Sequence, residues 1–308
     1  MNLEQRPTAA PRPPAHTPAQ RRHLGSSFDR LAEHYTAGRP TYPAEFVRAL
    51  VQPLLDRTDA PRTVLEVGAG TGQATGVLPR LFEQVTTMEP GHRLAEETRR
   101  RFTDDTRITV HRSSLEDWTE TSPYDCVFSA SAFHWADPHI SYTKAHTLLR
   151  PTGRLALVSY GDVLGEHTWE EPAERIREMY RRSAPGLTPP FGSRRVDDLR
   201  SALHLHGQSI ARALEYFEFG NIDAVAEIPV ADWFTPTTIH IRPHNRSYTG
   251  EQLVAALRSY GGFRDLEDNH AHRLAQEIRA YVEDECANRL LRPLVLVGLA
   301  ADRLQDTA

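Results

Sequence analysis

The sequence is poor in the groups that would mark it for the membrane, for an oxidising compartment or for nucleic acid. Cys126 and Cys286 are its only cysteines, far apart and in no C-x-x-C pair, so a disulfide framework and a cysteine-based zinc site are disfavoured. No apolar run approaches the roughly 18 residues of a membrane span, and the first residues lack the apolar stretch of a signal peptide. The expected location is the cytoplasm, with no membrane partner. Lys144 is the sole lysine among 36 basic residues, a bias that suits a high-GC bacterial genome. A net charge of −5 gives no global attraction to a polyanion, so no nucleic-acid partner is expected. What remains, 308 residues with 39% hydrophobic and 25% charged, is ample for a buried core.

The strongest pattern is Thr63-Val64-Leu65-Glu66-Val67-Gly68-Ala69-Gly70-Thr71-Gly72-Gln73. A β-branched, apolar run reads as a buried parallel strand, and the glycines after it let the backbone turn sharply and approach a ligand. Ala74, Val77, Leu78 and Leu81 then repeat at helical spacing, which predicts a helix over Gln73 to Phe82. A dinucleotide fingerprint needs a third glycine where Gln73 stands, and the Gly-Lys-Ser/Thr of a phosphate loop is absent. About 20 residues on, Val85 to Pro90 reads as a second strand ending in Glu89, where doubly wound sheets place a ribose-binding carboxylate.

An acidic residue followed by G-x-G-x-G resembles motif I of the class I S-adenosylmethionine-dependent methyltransferases. The resemblance assigns Glu66, Gly68, Ala69, Gly70 and Gly72 to the methionine end of the cofactor, with Glu89 and Pro90 at the ribose. The segment Phe28 to Tyr35, followed by Arg39-Pro40-Thr41-Tyr42-Pro43, resembles the stretch before motif I in small-molecule methyltransferases. By resemblance Tyr35 covers the methionyl chain and Arg39 pairs with its carboxylate; read alone, they are a core-edge aromatic and a loop charge. Ser114 and Leu115, after a third strand at Arg107 to His111, resemble the adenine loop.

The fourth strand, Tyr124 to Ser129, leads through Ala130 to His134-Trp135. Its end, Ser129 and Ala130, is expected to face cofactor and acceptor. The His-Trp pair is similar to one in a subgroup that includes the trans-aconitate methyltransferases. His134 is then a general base or an acceptor-orienting donor and Trp135 a wall of the site, although such a pair is also common as plain structure. Leu155 to Tyr160 reads as a fifth strand, and the β-α alternation predicts a parallel sheet.

The expected fold is α/β: a Rossmann-like, seven-stranded, mostly parallel sheet with helices on both faces and a helical insertion after the fifth strand. Its expected divisions are a disordered Pro-rich tail over 1–25, a cofactor core over 26–160, an insertion or lid over 161–235, and a C-terminal part of the sheet over 236–308. That last part holds strands at Thr237 to Arg242 and Pro293 to Ala300, with a helix from Tyr248. Tyr160, Trp169, His240 and Arg242 are candidate acceptor contacts. The histidines match no zinc spacing, so no metal is expected.

The reading implies methyl transfer from S-adenosylmethionine, leaving S-adenosylhomocysteine, to a small-molecule or peptide acceptor in natural-product biosynthesis, by a monomer or homodimer. A carboxylate acceptor is favoured; an amine, carbon or phenol is the alternative. A nucleotide-cofactor oxidoreductase and a catalytically silent adenosyl binder stay open from other classes.

Overall fold

The computed structural model describes residues 16–21, 29, 38, 40–57, 62–165, 167–185, 187, 189–192, 194–259, 263 and 266–305. Seven strands form one sheet: β1 (Thr63–Val67), β2 (Gln84–Met88), β3 (Ile108–His111), β4 (Tyr124–Ala130), β5 (Leu149–Asp162), β6 (Thr238–Tyr248) and β7 (Leu290–Asp302). Their order is β3-β2-β1-β4-β5-β7-β6, with β7 antiparallel to both its neighbours. The first five strands run parallel, and the strand order reverses between β1 and β4. Crevices for ligands form at such a switch, beyond the carboxyl ends of the strands.

Hydrophobic alternation fixes what covers each face. On one side α1 (Ala44–Leu55) lays Phe46, Val47, Leu50 and Leu54 over Val64, Phe128, Ala156 and Leu296. On the other, Leu65, Val127, Leu157 and Val297 meet α3 (Pro138–Leu148), α5 (Val196–His206) and α6 (Ile210–Phe219). α2 (His92–Arg101) follows β2. A third core forms from α4 (His167–Ser183), α7 (Gly250–Arg258) and α8 (Asp268–Ala280), where Ile176 and Tyr180 pack with Leu253, Leu257, Leu274 and Ile278. α7 starts where expected, because Thr249 and Gln252 close a reciprocal capping box. Among the described residues no helix is long and apolar enough to cross a membrane.

Four expectations need correction. Gln73 to Phe82 is a run of turns with a short 3-10 turn at Leu78–Arg80: Gly72 takes φ 83°, and Gly76 and Pro79 disfavour a regular helix. The fifth strand has 14 residues where six were expected: it begins at Leu149, paired with Tyr124 of β4, and continues to pair with β7 as far as Asp162. The 161–235 stretch, expected as one insertion or lid, divides: α5 and α6 pack on the sheet, while the apolar side of α4 joins helices from beyond β6. Finally, the expected tail includes an ordered turn over Pro18 to Arg21; the rest of residues 1–25 lies outside the described residues. Arg21 is 1% exposed and donates to both carboxylate oxygens of Glu215 in α6, at 2.7 and 2.8 Å. Such a paired fork needs a buried carboxylate, which the local sequence around Arg21 does not reveal.

Candidate functional site

The turn after β1 is held by backbone and carboxylate together. The amides of Gly68 and Ala69 donate to the Met88 carbonyl at 2.9 and 3.1 Å, tying the turn to the end of β2. Gly68, Gly70 and Gly72 have φ of 75°, 59° and 83°, the left-handed region where side chains are strained. A Cβ on Gly68 would stand 2.3 Å from the Ala132 Cβ, and one on Gly72 would stand 2.5 Å from the Phe102 ring. The glycines therefore serve both the conformation and the close approach of neighbouring segments.

Two carboxylates lie under this turn. Glu89, 6% exposed, accepts from the Gly70 amide through Oε2 and from the Gly91 amide through Oε1, both at 2.9 Å. Burial pushes its carboxyl up to about 7, against the pull of those two amides, and the nearby Asp29 and Glu66 charges add to the rise. Asp29 itself accepts from the Arg93 and Leu94 amides at the start of α2. Glu66 is fully buried in β1; its Oε2 accepts from the Thr75 hydroxyl at 2.6 Å. Burial raises it to about 7 as well, opposed by the Thr75 and Thr87 hydroxyls. Its Oε1 has no partner of good hydrogen-bond geometry among the described residues, and neither has the nearby Thr87 Oγ1.

A solvent-open cleft forms here. Glu66, Gly68, Ala69 and Gly70 form one side, continued by Gln73 and Ala74. Ala130, Ser131 and Tyr160 come from the ends of β4 and β5, and Pro40 and Tyr42 close it from before α1. Ser131 is held at φ 53° while its amide donates to the Val158 carbonyl at 2.7 Å, a strained conformation for a non-glycine residue beside a cavity. The Tyr42 hydroxyl donates to Ser131 Oγ at 2.9 Å, and the Tyr42 ring lies 5.2 Å from that of Tyr160. The Tyr160 hydroxyl donates to the Thr41 carbonyl at 2.8 Å, and burial raises its pKa far above the usual phenol range. Chemically, the cavity offers carboxylate acceptors on one side and an aromatic, hydroxyl-bearing wall on the other.

Of the residues predicted from sequence, Glu66, Gly68, Ala69, Gly70, Ala130 and Tyr160 line this cavity. Glu89 and Gly72 stand behind the turn, and Pro90 follows Glu89. Ser129 is 1% exposed and donates to the Val67 carbonyl, tying β4 to β1. Ser114 bonds Asp117, and Leu115 is buried in the core on the face opposite α1. Tyr35 and Arg39 lie outside the described residues.

Five other predicted contacts are drawn away from the cavity by better partners. His134 is 6% exposed, with Nδ1 3.2 Å from Glu218 Oε1, its ring 5.6 Å from Phe219, and its carbonyl accepting from Arg21 at 2.8 Å. Trp135 packs on that His134 ring, 4.5 Å away. Trp169 stacks edgewise on Phe191 within the helical third core. His240 faces Phe46, and Arg242 pairs with Glu45 at 3.2 Å. Sequence reasoning missed Tyr42, Ser131 and Gln73. For Tyr42 a signal existed, an aromatic held between Pro40 and Pro43; for Ser131 and Gln73 none did.

Residues 65–157 match the family model described as a methyltransferase domain. An uncharacterised methyltransferase of Mycobacterium tuberculosis is 32% identical over 140 residues, covering 45% of this chain and 54% of that protein. A Saccharomyces cerevisiae protein named for S-adenosylmethionine-dependent methyl transfer is 27% identical over 143 residues, 45% of this chain and 47% of its own. The malonyl-[acyl-carrier protein] O-methyltransferase of Priestia megaterium is 25% identical over 128 residues, 40% of this chain and 46% of its own. The chain spans about half the length of these curated relatives. Over residues 65–157, less than a third of its length, the chain is similar to a methyltransferase domain.

Proposed function

We propose that the protein transfers a methyl group from S-adenosylmethionine to a carboxylate oxygen of a small-molecule or peptide acceptor of bacterial secondary metabolism, and that this happens in the cavity at the β1–β4 switch. The observation that carries the cofactor reading is the glycine turn with its two buried carboxylates. The residues fit the cofactor. Glu66 has an oxygen without a partner, suited to a donor such as an amino group, and Glu89 keeps a lone pair on each oxygen for ribose hydroxyls. The side-chain-free backbone of Gly68 and Gly70 leaves room against the turn. When bound, S-adenosylmethionine supplies an activated sulfonium methyl.

The acceptor reading rests on what the cavity wall offers. Its titratable groups among the described residues are Glu66, Tyr42 and Tyr160. Tyr160 has its proton committed to the Thr41 carbonyl and a raised pKa, so it donates rather than abstracts. Glu66 lines the cavity but has one oxygen held by the Thr75 hydroxyl, and His134 is turned toward α6. An acceptor already ionised at neutral pH needs no base, and carboxylates meet that condition. The malonyl O-methyltransferase of Priestia megaterium is a relative whose name fits the same chemistry. Tyr42, Ser131 and Tyr160 then orient the acceptor, which is where positioning contributes to rate.

The test is calorimetric titration with S-adenosylhomocysteine, with NAD as control, followed by transfer of labelled methyl groups to a panel of organic acids. Tight binding of S-adenosylhomocysteine alone is expected, weakened at least about tenfold by Glu89→Ala or Gly70→Asp. Binding of NAD alone would overturn the cofactor assignment, and labelling confined to amines or phenols would overturn the acceptor assignment.

A further inference from the structure

Tyr160 of β5 and Arg242 of β6 pair with the same residue of β7, Leu296, so all three side chains leave the same face of the sheet. Along β6 that face carries Arg242, His244, Arg246 and Tyr248 at alternate positions. Two of the arginines gathered here have their charge answered. Arg242 meets Glu45 at 3.2 Å. Arg292, 1% exposed, donates to Asp162 Oδ1 at 2.9 and 2.6 Å and to the Pro190 carbonyl at 2.9 Å.

Arg246 is different. Its guanidinium lies 4.7 Å from the Tyr248 ring centre, it makes no ion pair among the described residues, and its Nη1 is buried without an acceptor. A half-buried guanidinium with an unanswered donor is costly unless a ligand answers it. Its position is set by its neighbours: its charge acts on both Tyr160 and His244, whose rings lie 5.2 Å apart. Tyr160 also lines the cavity, so its ring contact with His244 joins the Arg246 face of β6 to the cavity wall.

We infer that Arg246 pairs with an anionic group of the acceptor, a carboxylate or a phosphate, with the Tyr160 and His244 rings as the wall beside it. This rests on the acceptor cavity proposed above. The bound anion is not the oxygen that takes the methyl, because a guanidinium pair withdraws electron density from the oxygen it holds. The acceptor thus carries an anion at one end and its methyl-accepting group at the other. Arg246 is a specificity-determining residue, and a planar fork suits carboxylate and phosphate alike.

The experiment is calorimetry on the full chain saturated with S-adenosylhomocysteine, titrated with glutarate and separately with inorganic phosphate. Saturable binding of one of the two is expected, which also tells a carboxylate site from a phosphate site. Arg246→Met should weaken it at least about tenfold and Arg246→Lys by less, with S-adenosylhomocysteine affinity unchanged in both. Should the Met variant not fold, Arg246→Gln serves the same comparison. Neither anion binding the unmodified protein, or equal binding by the variants, overturns the inference. Failure of S-adenosylhomocysteine to bind strikes the cofactor reading instead, and the anion titrations on the ligand-free protein still decide the role of Arg246.

Discussion

Glu66→Gln would expose how much strain the cofactor site stores. Glu66 is fully buried, and burial lifts its carboxyl from the ordinary 4.5 to about 7. That difference corresponds to about 3 kcal/mol between its protonated and charged forms. Because the folded pKa is raised, the group's stabilising contribution is complete below pH 4.5 and is lost as pH rises through 7. Glutamine cannot ionise, so the variant lacks this loss while keeping the volume. Comparing the two cancels the larger part of the parallel effect of Glu89, which is raised chiefly by its own burial. Urea unfolding of the ligand-free proteins should then show the variant gaining about 2.5 kcal/mol on the parent between pH 5 and pH 8. At pH 5 the parent should be equal or ahead, since its carboxyl accepts from Thr75 at 2.6 Å. S-adenosylhomocysteine should bind the variant more weakly at pH 8, where the carboxylate charge is lost. A stability difference constant across that pH range would refute the account of a carboxylate held buried and neutral in the empty turn.

Two further outcomes concern the network behind the site. Arg21→Met leaves Glu215, 3% exposed, as a buried unpaired carboxylate and should cost about 3–5 kcal/mol in urea unfolding, with most of the loss recovered in Arg21→Met/Glu215→Leu. His134→Ala should lower the thermal midpoint, because its ring fills space between Glu218 and Phe219, yet leave methyl transfer per folded molecule nearly unchanged. A fall of about a hundredfold or more in turnover would return His134 to the chemistry as an acid or base.

The parts of this protein that were legible in the sequence are those where one backbone rule decides. Three glycines after an apolar run leave few alternatives, and the spacing to Glu89 follows from one crossover between two parallel strands. The strands were legible because both faces of a parallel sheet are buried, and only their ends were misjudged. What could not be read is what depends on partners distant in sequence. Arg21 meets Glu215 across 194 positions, and the same helix turns His134 away from the cavity. Trp169 looked like a pocket aromatic because a lone tryptophan in an insertion has no visible neighbour; Phe191 and the core with α7 and α8 supply one. Arg246 escaped notice for the opposite reason. Its significance lies in lacking a carboxylate that its two neighbouring arginines possess, a contrast visible only once β6, β7 and β5 are aligned.

The placement of β7 between β5 and β6 sets an order of assembly. β5 can pair with β4 once both have been made, but its other edge has no partner until β7, more than a hundred residues later. β6, made earlier than β7, has no strand in this sheet to join until β7 arrives. The glycine-turn half can therefore form first, whereas the wall from Tyr160 to Arg246 is completed last. A nascent chain halted before Leu290 exposes the edge of β5 as a template for unwanted pairing. The two sides of the cavity are thus completed at different times during synthesis.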